Sequence, residues 1–271
     1  MAKSEAKRGQ IRAGIGGWVY APWRGTFYPK GLPHTQELAF AGTRLTSIEI
    51  NATFYRLQSA ASFRKWAAAV SDGFVFSIKG PRLVTNRRVL AEAGDFTRRF
   101  FDSGLSELGD RLGPVVWQFA PTKAFDADDF AKFLALLPDT LDGRKLRHVV
   151  EVRHMSFETK RFVELLRDFH VAAAFTDADA WPNIPDITGD VVYARLQQGN
   201  DKLEHAYPET ELDTWAKRAA HWAQGRTPDD LPLIAGASSP KPSPRDVFIY
   251  FIHEGKLRAP AAAMALIDRL Q

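Results

Sequence analysis

Along the chain, runs of branched and aromatic residues alternate with segments whose apolar positions recur every three or four residues. The runs predict strands at 11–16, 46–51, 74–79, 114–119, 147–153, 171–176, 190–196 and 246–252. The three-and-four spacing predicts helices over 60–70, 95–108, 126–137, 158–169, 209–223 and 259–270. Asp126, ahead of an acidic first turn, and Pro260, near the start of its segment, are helix-start signals. Strand beginnings average roughly 34 residues apart, which leaves room for a strand, a helix and a return. Eight strands alternating with helices predict an α/β protein with a parallel sheet, and eight is the number that closes a (β/α)8 TIM barrel. An open doubly wound sheet is the alternative, but no Gly-x-Gly-x-x-Gly turn supports it. The expectation is one barrel domain over 1–271, with a polar tail over 1–10 and some irregularity around strands 6 to 8. There the 181–189 stretch reads as a proline-broken loop in place of a helix, and 225–245 as a proline-rich loop before the last strand.

Alternation within the strands sorts side chains onto two faces. One face carries Ser47, Glu49 and Asn51 on strand 2, Ser77 and Lys79 on strand 3, and Gln118 on strand 4. It continues with Glu151 and Arg153 on strand 5 and Tyr193, Arg195 and Gln197 on strand 7, while strand 6 ends in Asp177. The opposite face is aliphatic and suits contact with helices. The charged residues then collect inside the barrel at its carboxyl end, where barrel enzymes hold their catalytic groups. Charges there are costly unless paired, so they form either an ion-pair plug or a ligand site. The second reading is favoured, because barrel layers without a site are filled with Val, Ile and Leu. Alternate strands share a layer, which groups Lys79, Glu151 and Arg195 at one level and Glu49, Gln118 and Asp177 at another. The first loop crowds Trp18, Tyr20, Trp23, Phe27 and Tyr28 around Arg24 and Lys30, as a stacking wall, a lid or a hydrophobic plug. Tyr55 after strand 2 adds a hydroxyl that wants a partner.

Composition narrows the chemistry. The 271 residues are 45% hydrophobic and 25% charged, which excludes a mainly disordered chain. There is no cysteine, so disulfides, thiol nucleophiles and iron–sulfur ligation are excluded. The net charge of +4 is too mild for a dedicated DNA binder and weakly favours anionic ligands. A polar N-terminus and the lack of any 18-residue apolar run lead to the expectation of a cytoplasmic protein with no membrane contact. Phosphate-loop, zincin and nucleophile-elbow motifs are all missing. No cofactor is implied. A divalent metal is an option only if Glu49, Glu151, His154 and Asp177 converge. Gly199-Asn200 and Gly255-Lys256 follow strands 7 and 8, where barrels often hold phosphate.

The segments GGWVYAPWRGTFYP, EINATFYRL, FSIKGPRLVTN, LGPVVWQFAP, VVEVRH and VVYARL occur in order at successive strand ends. Together they resemble the YecE-like family, domain of unknown function 72, over nearly the whole chain. The resemblance implies a TIM barrel and supplies no reaction. Its signature polar positions match Trp18, Trp23, Arg24, Glu49, Asn51, Tyr55, Lys79, Arg82, Gln118, Glu151, Arg153, His154, Asp177 and Arg195. Three places depart from the family pattern. Gln197-Gln198 replaces a His after Arg195-Leu196, Asn86 replaces another His, and His253-Glu254 stands where paired asparagines are common.

The leading functional expectation is an enzyme acting on a small anionic substrate, phosphorylated or sugar-like. Glu49, Glu151, Lys79 and Asp177 would do the catalysis. Trp18, Trp23, Arg24, Asn51, Tyr55, Arg82, Gln118, Arg153, His154 and Arg195 would bind the substrate. The alternatives are nucleic-acid binding or processing through Arg87, Arg88, Arg98 and Arg99, and a barrel that binds a metabolite without catalysis.

Overall fold

The computed structural model describes residues 8–236 and 243–271, so parts of the 1–10 tail and of the 225–245 loop lie outside it. Eight strands are parallel and close into a barrel: β1 (Ile11–Gly16), β2 (Ser47–Ile50), β3 (Val75–Lys79), β4 (Leu112–Gln118), β5 (His148–Glu151), β6 (Ala172–Thr176), β7 (Val191–Gln198) and β8 (Asp246–Glu254). Each pairs with its neighbours in sequence, and β1 closes the ring on β8 through Ile11–Val247 to Ile15–Phe251. The predicted TIM barrel is the fold.

Helices cover the outside: α1 (Glu37–Gly42), α2 (Ala60–Ala68), α3 (Gly94–Phe101), α4 (Ala127–Leu134), α5 (Lys160–Asp168), α6 (Glu209–Ala223) and α7 (Ala259–Asp268). Their starts follow local chemistry. Asp126 accepts hydrogen bonds from the amides of Asp128 and Asp129, Thr159 accepts from Phe162, and Pro260 sits in the first turn of α7. As expected, no helix joins β6 to β7. Asp186, buried in that connection, accepts from the amides of Ile234 (2.8 Å) and Ala235 (2.9 Å), so the described part of the proline-rich loop is tied down.

Besides the short α1, which the sequence reading did not contain, two regions differ from it. The predicted 95–108 helix stops at Phe101, and after Gly104, in left-handed backbone, the chain continues as a separate 3-10 segment, Leu105–Arg111. A small hairpin pairs Thr140–Leu141 with Arg144–Lys145 through Asp142-Gly143, both at positive φ, as a two-residue hairpin turn demands.

The face assignment is as read, but the filling of the interior is not purely aliphatic. Val75, Val116, Val149, Ala172, Ala174 and Val191 share it with Tyr193, Phe248 and Tyr250. Their neighbours in the ladder are small: Gly14 pairs with Tyr250, and Ala174 of β6 pairs with Tyr193. The Tyr250 hydroxyl meets Ser47 Oγ at 2.6 Å and the Tyr193 hydroxyl meets Ser77 Oγ at 2.7 Å, so both buried hydroxyls are satisfied. This tyrosine layer is the floor on which the charged residues stand.

Candidate active site

Above the floor, at the carboxyl ends of the strands, a cavity of about 410 Å³ opens. Arg195, only 4% exposed, organises its base. Its Nε (3.0 Å) and Nη2 (2.9 Å) donate to the two oxygens of Glu49, the bidentate fork that arginine alone provides. Its Nη1 donates to Glu151 Oε2 and to Gln118 Oε1, the latter at 3.2 Å. Arg153 completes the set, donating from Nε to Glu151 Oε1 (2.7 Å) and from Nη2 to Gln118 Oε1 (3.1 Å). The predicted pairing level is therefore partly wrong. Glu49 joins the Arg195 network because the Arg195 side chain reaches across the barrel, a reach that strand alternation does not encode.

Burial pushes the Glu49 carboxyl up, but Arg195, Lys79 and the Tyr193 hydroxyl at 2.7 Å outweigh it and hold the group below the ordinary range. Both glutamates are thus fixed acceptors for arginine. Lys79 is different. Burial, reinforced by the positive charges of Arg195 and Arg153, pushes its amine down to about 7 against the opposing pull of Glu49. Its Nζ lies 4.3 Å from the centre of the Phe54 ring. Among the described residues, no hydrogen bond or ion pair reaches that nitrogen.

Asn51 and Tyr55 line the cavity beside Phe54, and Tyr55 is exposed. Trp181, from the 181–189 loop, lies under the Arg153 guanidinium at 4.8 Å and was not marked as a site residue from the sequence. Gln197, His253 and Lys256 also reach the cavity. His253 sits at φ +67° where the β8 ladder slips register, and this bulge turns the chain across the mouth.

Several expected members stand elsewhere. Asp177 accepts from the amides of Gln197 (2.6 Å) and Gln198 (3.4 Å) and from the Tyr207 hydroxyl (2.8 Å), and burial pushes its carboxyl up. It secures the end of β7 and does not share a level with Glu49. His154 accepts the Ser156 amide through Nδ1 (3.2 Å), capping the turn that follows β5. Arg24 pairs with buried Glu37 at 2.9 Å, and Arg82 lies over the outer ring of Tyr55 at 5.9 Å.

The first loop is mostly plug. Trp23 is buried among Tyr20, Phe27 and Tyr28, with its Nε1 on the Lys256 carbonyl (2.9 Å), though one edge still reaches the cavity. Trp18 packs on Trp66, outside the cavity. Glu49, Glu151, His154 and Asp177 do not form the ligand set a metal would need, and no cluster of three or more suitable side chains occurs among the described residues. Nor is any helix among them long and apolar enough to cross a membrane.

Comparison with known proteins agrees with this architecture. A family model described as protein of unknown function DUF72 matches residues 12–271. The crystal structure of a DUF72 family protein from Thermotoga maritima aligns with a TM-score of 0.69 at 20% identity, over 95% of this chain and 97% of that one. One from Enterococcus faecalis aligns with a TM-score of 0.70 at 16% identity, over 97% and 98%. A xylose isomerase-like TIM barrel/4-hydroxyphenylpyruvate dioxygenase fusion protein shares the fold at 16% identity, with a TM-score of 0.52, over 97% of this chain and 43% of that one. No curated protein matches.

Proposed function

The chain belongs to the DUF72 family, and from the arrangement at its barrel mouth we propose an enzyme acting on a small anionic substrate, phosphorylated or sugar-like. The observation that carries the proposal is Lys79: a buried amine without a hydrogen-bond partner, facing a cavity, with its pKa pushed down to about 7. A group titrating near neutral pH is suited to take a proton and return it. Glu49 and Glu151 are engaged with Arg195 and Arg153, so their part is to hold the cations in place. With those carboxylates already paired, Lys256 and the protonated form of Lys79 leave the mouth with surplus positive charge for an anionic substrate. Phe54 and Tyr55 provide flat apolar surface suited to a sugar ring.

The test is a binding screen by thermal shift with sugar phosphates and their neutral parent sugars, on the parent protein and on Lys79→Met. Stabilisation of the parent by at least one phosphorylated compound, absent with the neutral sugar and clearly smaller in Lys79→Met, is the expected result. If no anion stabilises the parent, or if Lys79→Met responds equally, the proposal fails. Once a turnover assay is in hand, its rate should rise with pH through an ionisation near 7, the value held by Lys79.

A further inference from the structure

A second cavity, of about 530 Å³, opens on the rim between the chain leaving β3 and the chain leaving β4. Thr85, Asn86, Arg87, Arg88, Thr122 and Lys123 line it. Its charges are not balanced as those in the mouth are. Lys123 Nζ is held by Asp129 Oδ2 at 2.9 Å and by the Arg88 carbonyl at 2.8 Å. Among the described residues, however, no carboxylate lies within ion-pair distance of Arg87 or Arg88. The Arg87 guanidinium lies over the Phe96 ring at 4.9 Å, a contact that orients the fork without neutralising it.

Two polar atoms here are also left over. Arg87 Nε and Thr85 Oγ1 are buried without a hydrogen-bond partner, and Thr85 is fully buried. A buried donor without an acceptor is costly, and folded proteins rarely tolerate one without a use for it. Arginine forks and hydroxyls together match the oxygens of a tetrahedral anion. Two uncompensated guanidiniums match a dianion better than the single charge of a carboxylate or a phosphodiester.

We propose that the rim cavity is a second binding site, separate from the mouth, which takes a phosphate monoester group through Arg87, Arg88 and Thr85. The mouth does not supply these groups, so the site stands or falls independently of Lys79.

The probe is inorganic phosphate, titrated by calorimetry into the parent, Arg87→Met/Arg88→Met, Thr85→Val and Lys79→Met. Loss of charge-assisted hydrogen bonds predicts binding at least about tenfold weaker in the double arginine variant. A smaller loss is expected in Thr85→Val, while a phosphate site persists in Lys79→Met. Thr85→Val changes no charge, so it decides the matter if the double variant does not fold. No phosphate binding by the parent, equal binding in the arginine and Thr85→Val variants, or complete loss in Lys79→Met each overturns the proposal. A mixed-sequence oligonucleotide run in parallel separates the two sources of phosphate. If the parent binds it in a salt-sensitive, Arg87-dependent way but does not bind inorganic phosphate, the cavity is a nucleic-acid surface and the proposal is wrong.

Discussion

Arg195 sends Nε and Nη2 to Glu49 and Nη1 to Glu151, so replacing it with methionine leaves buried Glu49 without its hydrogen-bonded cation and Glu151 with Arg153 alone. Removing one partner of a buried ion pair costs about 3–5 kcal/mol, and Arg195→Met should lose that much in denaturant unfolding at neutral pH. A loss below about 1 kcal/mol would show that the carboxylates are solvated or protonated. Lys79 makes the opposite prediction. Its pKa is about 7 when folded, against an ordinary 10.5, so below pH 7 the fold bears the full cost of burying an ammonium. That cost is shed as pH rises from about 7 to 10.5. Lys79→Met should therefore melt higher than the parent at pH 6, with the gap narrowing toward pH 10. A gap that is constant with pH would place the Lys79 ammonium in water. The identity of these residues was legible from i, i+2 alternation and from the family resemblance, as was the pairing of Glu151 with Arg153 or Arg195, but the reach of Arg195 to Glu49 was not. Alternation tells which face a side chain takes, whereas the length of Arg195 and the tyrosine floor beneath it decide whom it meets.

Among the elements, β8 carries the clearest strain. His253 is held at φ +67° between the register slip of the ladder and Gly255, which is itself at φ +65°. Left-handed backbone costs a residue with a Cβ roughly 1 kcal/mol, less for asparagine. His253→Gly should relieve the strain and raise stability by up to about 1 kcal/mol, partly offset by the entropy of glycine in the unfolded chain. A drop in stability would mean that the imidazole makes a compensating contact. The helices with side-chain caps or a first-turn proline, α2, α4, α5 and α7, begin within two residues of where the sequence places them. The short α1 and the 142–143 hairpin were missed. A six-residue helix holds too few turns to show a period, and the Asp142-Gly143 turn signal is confined to two residues.

For the molecule as a whole, closure between β1 and β8 joins the two ends of the chain across the same barrel. The 181–189 connection and the described part of the proline-rich loop pack Ile184, Ile187 and Leu231 into the main core and are joined to each other through Asp186. Asp186→Ala should speed proteolytic nicking within 226–236 several-fold, and the barrel should still unfold in one cooperative step by circular dichroism. If nicking is unchanged, the loop is held by other contacts, and Leu231, buried beside it, is the next residue to test.

The sequence by itself determined the number of barrel strands, most of the helices between them, the inward face and the family, because these depend on periodicity and local chemistry that a few adjacent residues carry. Only the tertiary structure decided that Glu49 and Glu151 share Arg195, that Lys79 is left without a partner, and that Asp177 and His154 serve backbone amides. It also gathered Arg87, Arg88 and Thr85 around one cavity. The Arg195 and Asp177 contacts join residues 20 to 146 positions apart, and the state of Lys79 depends on what burial does to a charge, neither of which a linear pattern contains.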